Sequence, residues 1–207
     1  MKYWIIILTV FFVISCKKEQ IEKNDKAETD LGMPIPKSFS KSITKRIFPL
    51  KEISKVELIS YPNRVMWDTI SFKGQKPFQK PLVDNYKLTF DTTMIRERIT
   101  LNKVEQKELL DLIVCDTCMP EEVVMACYDP RHMILFKDKK NKIIGYTEFC
   151  FTCLGSRSSE NLSTFQKYCY SDMNELFKKF GIKYFIEDSS DENKEYLFLK
   201  SKGYIKD

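Results

Sequence analysis

His132–Lys137 (HMILFK) and Lys142–Phe151 (KIIGYTEFCF) are the two runs whose reading decides the fold. Both are apolar, β-branched and aromatic, and they flank the polar tetrapeptide Asp138-Lys139-Lys140-Asn141. That pattern predicts an antiparallel hairpin. With Lys137 set opposite Lys142, Phe136 faces Ile143, Leu135 faces Ile144 and Arg131 faces Glu148. The opposite charges of the last pair support this register. Continuing the count puts position 127 opposite 152, so Cys127 is expected beside Cys150 and Cys153.

Working back from the hairpin, Ser54–Tyr61 (SKVELISY) reads as a strand. Val56 and Leu58 share one face while Ile59 and Tyr61 fall on the other, as in a strand buried on both sides. Asn63–Ile70 follows a Tyr-Pro-Asn turn and is expected to be a second strand. Lys73–Pro81 holds Gly74, Pro77 and Pro81 and reads as loop. Tyr86–Leu101 reads as one long strand, or as two split near Asp91. Asn102 with Glu105 forms a capping box. The helix it opens should run to Val114, with Val104, Leu109, Leu110, Ile113 and Val114 inward. Cys115–Pro130 reads as irregular.

Beyond the hairpin, Gly155–Ser159 reads as loop. Ser163 and Gln166 make a second capping box, opening a helix that carries Phe165, Tyr168, Cys169, Leu176, Phe177 and Phe180 and stops at Gly181. A short strand near Lys183–Ile186 and a last helix over Glu192–Ser201 complete the chain. The expected class is α+β: a mainly antiparallel sheet, two principal helices and a cysteine-rich hairpin region.

The N-terminal end carries an address. Lys2 precedes an apolar run from Trp4 to Ile14, interrupted by Thr9. A membrane-spanning helix needs roughly 20 apolar residues, so this run suits a signal peptide instead. Val13-Ile14-Ser15-Cys16 resembles the lipobox of bacterial lipoproteins. The resemblance implies a signal peptide over residues 1–15, cleavage before Cys16, and acylation of Cys16 with fatty chains such as palmitate. Residues 16–42 are charged, poor in large apolar side chains and broken by Pro34 and Pro36, which predicts a lipidated flexible tether. Residues 43–207 form a single domain of ordinary size. The formal net charge is +5, and loss of Lys2 leaves +4 on the mature chain. Basic and acidic residues are interspersed, so no stripe suggests nucleic acid. The expected partner is a membrane, through the Cys16 lipid. The expected location is the cell envelope, at the outer membrane of a Gram-negative bacterium, and the sequence names no protein or small-molecule partner.

Seven cysteines occur. Leaving Cys16 to the lipid, Cys115, Cys118, Cys127, Cys150, Cys153 and Cys169 make an even set in a compartment that favours disulfides. A bridge from Cys127 to Cys150 or Cys153 is the expected member, and Cys169 could be a partner or a free core thiol. The competing reading is structural zinc on Cys115, Cys118, Cys150 and Cys153, since two CxxC pairs can supply four thiolates. Gly155 resembles the glycine that closes many zinc knuckles. A third reading is CxxC thiol–disulfide exchange, weakened because a loop rather than a helix is expected after Cys153. Neither CxxC is followed by His, which excludes c-type haem attachment. His132, in an apolar strand, reads as structural rather than catalytic. No catalytic residue and no cofactor is assigned, and a non-enzymatic binding or envelope-structural role is expected. The stretch Cys127–His132 followed by Cys150–Cys153 is similar to lipoproteins of Gram-negative bacteria to which no activity is assigned, so the resemblance implies none here.

Overall fold

The computed structural model describes residues 47–70, 78–79, 81–114, 128–165 and 168–205. All of them fall in one compact unit, Ser42–Asp207. In chain order the elements are β1 (Lys55–Ser60), β2 (Thr69–Ile70), β3 (Phe78–Gln79), β4 (Val83–Asp84), β5 (Lys87–Leu88), β6 (Glu97–Thr100) and α1 (Lys103–Val114). They continue with β7 (His132–Lys137), β8 (Ile143–Cys150), β9 (Gly155–Ser158), α2 (Tyr170–Lys179) and α3 (Ser189–Ser201). The protein is α+β.

Five strands build one antiparallel sheet in the order β6-β1-β7-β8-β9, while β2–β3 and β4–β5 form separate two-stranded ribbons. The split parity expected of β1 is present. Val56 and Leu58 join Ile134, Phe136 and Phe149 on one face, beneath Leu109 and Ile113 of α1 and Met173 and Phe177 of α2. Ile59 and Tyr61 join Met133, Leu135 and Ile143 on the other face, packed with Leu82 and Phe90. The inner strands β1 and β7 are therefore buried at nearly every position, because both of their faces are covered.

The hairpin of β7 and β8 forms, with the Asp138 carboxylate accepting from the Lys140 and Lys142 amides. Its register differs from the expected one. Phe136 pairs with Gly145, Leu135 with Tyr146, and Met133 with Glu148, with an irregularity at Phe136/Lys137. A bulge beside the turn adds residues to one strand and shifts every pair beyond it. Arg131 and Glu148 are consequently not partners.

Local capping signals survive. The Asn102 side chain accepts from the Val104 and Glu105 amides, and Glu105 accepts from the Asn102 amide at 2.7 Å. Helix α1 ends at Val114 as expected. Val104, however, is 76% exposed, and Gln106 takes the inward place, donating to the Leu101 carbonyl at 2.8 Å. Gly181 closes α2 with φ 104°, as Ile182 N–H donates to the Phe177 carbonyl. Helix α2 begins later than Ser163 predicts. Glu160–Phe165 is 3₁₀, and Tyr168 is held in the core by its hydroxyl, 3.0 Å from Thr147 Oγ1.

Three further expectations are corrected. Asn63–Ile70 is a 3₁₀ turn at Arg64–Met66 followed by the short β2. Gly155–Ser158 is a strand, because its backbone completes the edge of β8. Lys183–Ile186 is extended but joins no ladder: the Lys183 and Tyr184 amides donate to the Glu97 carboxylate instead. The break near Asp91 is a 3₁₀ turn at Thr92–Met94, capped by the Asp91 side chain. Helix α3 starts three residues before the expected Glu192, capped by Asp188. Among the described residues no helix is long and apolar enough to cross a membrane.

Candidate functional site: the cysteine turn and the clefts beside it

Strand β8 ends on Cys150, the chain turns through 151–154, and β9 starts at Gly155, which pairs with Cys150. Cys150 and Cys153 close this turn as a disulfide, with Cα atoms 5.4 Å apart, inside the range a disulfide requires. They are 1% and 4% exposed. The bridge corrects the expected link from Cys127 to one of these two sulfurs, since they are bonded to each other. In the observed register the same count sets position 127 opposite 154 rather than 152. In this bonded form the two sulfurs are not thiolates, so they do not fit as zinc ligands. No group of three His, Cys, Asp or Glu suited to a metal occurs among the described residues. Gly155 has a different use from the one its position suggested: a Cβ there would lie 3.2 Å from the Tyr128 ring. Cys169, at the N-cap of α2, is also disulfide-bonded. Cys16, Cys115, Cys118 and Cys127 lie outside the described residues.

Buried charge surrounds the turn. Glu148, on β8, accepts from Arg64 Nε at 2.7 Å and from Nη2 at 3.2 Å. Tyr61 and Tyr128 hydroxyls donate to the same carboxylate at 2.8 and 3.2 Å. Arg64 Nη1 also reaches Asp68 at 2.8 Å. Burial, then the Glu148 charge, pushes both tyrosines upward, so they remain protonated donors. Arg131 has a separate partner on α3: its Nε and Nη2 hold Glu195 at 2.9 and 2.7 Å. Tyr184 and the Asn63 amide complete that carboxylate's bonds. These pairs satisfy charges that would otherwise be costly to bury.

His132 stands 3% exposed at the start of β7, among Phe151, Phe177 and Phe185. Its Nε2 donates to the Tyr184 carbonyl at 2.8 Å, since a carbonyl can only accept. Burial pushes it down from the usual 6.5 to about 4, against the opposing pull of that bond. It is therefore a neutral core residue near pH 7, as its apolar strand suggested.

Two clefts flank the extended segment 183–187. One, about 100 Å³, is lined by His132, Phe151, Asn174 and Phe185 and contains the buried Asn174 Oδ1, which lacks a protein partner among the described residues. The other, about 410 Å³, lies against α3 and is lined by Arg96, Lys183, Tyr184, Asp191 and Lys194. The Arg96 guanidinium rests 4.0 Å over the Phe198 ring and 5.4 Å from the Tyr184 ring centroid. Of these cleft residues only His132 was singled out from the sequence, as structural. The Arg64–Asp68 spacing of four was the one available signal for its ion pair. Arg96, Asn174 and Glu195 come together only through the fold.

Compared with protein-family models, with curated proteins and with solved structures, the chain matches none of them.

Proposed function

We propose that this protein is a bacterial lipoprotein of the cell envelope, anchored through acylated Cys16 at the outer membrane of a Gram-negative bacterium, whose α+β domain binds rather than transforms its partner. The observation that carries the anchor is the apolar run Trp4–Ile14 ending in Val13-Ile14-Ser15-Cys16. Two or more acyl chains on one residue suffice for stable attachment. Residues 17–42 would then space the domain from the lipid surface.

The binding role is supported by how the reactive-looking groups are used. Cys150 and Cys153 close a buried hairpin turn, Glu148 and Glu195 are bonded to arginines, and His132 is a neutral core residue. These arrangements suit a rigid scaffold. The CxxC is followed by β9, whereas the N-terminus of a helix is what would lower an attacking thiol's pKa.

Metabolic labelling with an alkyne fatty acid tests the anchor. Label on the wild-type chain, lost in Cys16→Ser, is the expected outcome. Label that persists in Cys16→Ser, or never appears, contradicts it.

A further inference from the structure

We infer that the cleft between α3 and segment 183–187 is a binding site for a small organic carboxylate, with Arg96 as its anchoring donor. The inference rests on reading the domain as a binding module, and it adds the ligand class.

The charges in the cleft decide its sign. Asp191 is bonded to Lys194, Glu187 to Lys178, and Glu195 to Arg131. Glu97, beside the cleft, is occupied by the Lys183 and Tyr184 amides and the Ser60 hydroxyl. Neither the Arg96 guanidinium nor the Lys183 ammonium has a hydrogen-bonding or ion-pairing partner among the described residues. The lining itself is balanced, with three cations, Arg96, Lys183 and Lys194, and three acids, Glu187, Asp191 and Glu195, but the acids are already bonded while Arg96 and Lys183 are not. These two cations are the groups left to meet an anion, and the apolar Phe185 and Ile186 beside them favour an organic carboxylate over inorganic phosphate.

Arg96 is suited to the task by its mounting. The Phe198 and Tyr184 rings attract the guanidinium and limit its rotation. A flat face resting on a ring leaves the N–H donors at the edge, where the fork can meet both oxygens of a carboxylate. The remaining wall includes Phe185 and Ile186, which would meet the apolar body of such a ligand. A volume of about 410 Å³ suits a small molecule.

The test uses the full chain in detergent micelles, with 4-fluorobenzoate observed by fluorine NMR and empty micelles as the blank. Saturable binding is expected, competed by benzoate and at least about tenfold less well by inorganic phosphate, a difference of roughly 1.4 kcal/mol. Arg96→Lys keeps the charge but loses the fork and should weaken binding about tenfold. Phe198→Leu keeps the arginine but removes its ring and should weaken binding several-fold. Lys139→Gln, at the hairpin tip, should leave binding unchanged. Melting temperature checks the fold of each variant, and if Arg96→Lys does not fold, Phe198→Leu and the wild-type competition decide. Absence of saturable binding, wild-type binding in a folded Arg96→Lys, or equal competition by phosphate overturns the carboxylate site. Fatty-acid labelling of Cys16 reads the anchor independently, so a labelled chain that ignores fluorobenzoate fails only here.

Discussion

His132 and Arg64 are where single side chains matter most to stability. The native state holds His132 neutral down to about 4, whereas the unfolded chain accepts a proton near 6.5. Stability should therefore fall as pH drops through that window, by on the order of 3 kcal/mol when complete. Unfolding in urea at several pH values measures it, and His132→Gln should flatten the slope between 6.5 and 4. Glu57 is a separate case. Burial works to raise it, but Lys137, Lys55 and Arg98 outweigh that and hold it at about 2. Its contribution is lost only as pH falls from 4.5 toward 2, below the histidine window. For Arg64, replacement by Met should cost about 3–5 kcal/mol, because Glu148 would be left buried without a cation. Pairing Arg64→Met with Glu148→Gln should recover part of that loss. The sequence marked His132 as structural, but it matched Glu148 to Arg131 through a hairpin count that their opposite charges supported. Charge complementarity is satisfied by any nearby cation, and only the register selects which one.

Elements whose signals are local were legible, and those set by distant contacts were not. The capping box at Asn102, the stop at Gly181 and the tight Asp138 turn each depend on residues within five positions of one another. Asn102→Ala should destabilise the protein by about 1 kcal/mol, read from denaturant unfolding. The hairpin was found but its register was not, since a bulge leaves no mark in apolar periodicity. Helix α2 starts late because Tyr168 bonds across to Thr147, and Gly155–Ser158 is a strand because β8 offers an edge. Both are tertiary effects. The cysteine turn belongs at this scale. Its bridge closes a loop of four residues, for which the chain-entropy model gives roughly 2 kcal/mol. Joint Cys150→Ser and Cys153→Ser should lower stability by about that much. No loss would mean that the turn is held by strand pairing alone.

At the scale of the whole molecule, fold class was readable because β1 and β7 carry apolar residues on both faces and the helical stretches carry them on one. The clefts were not readable, since Arg96, Lys183 and α3 meet only through the packing of the chain end against β6. The proposed anchor is carried by the N-terminal sequence, and the proposed binding role by a scaffold whose cysteines and buried acids are already engaged. The measurement that tests these together is the intact mass of the protein extracted from membranes, taken natively, then with chelator, then with reductant. The account predicts a chain beginning at Cys16 with added acyl mass, unchanged by chelator, gaining two hydrogens for each bridge on reduction, with Cys150 joined to Cys153 in a non-reducing peptide map. A chain beginning at Met1 with unmodified Cys16, or metal lost to chelator with Cys150 and Cys153 free, would contradict it.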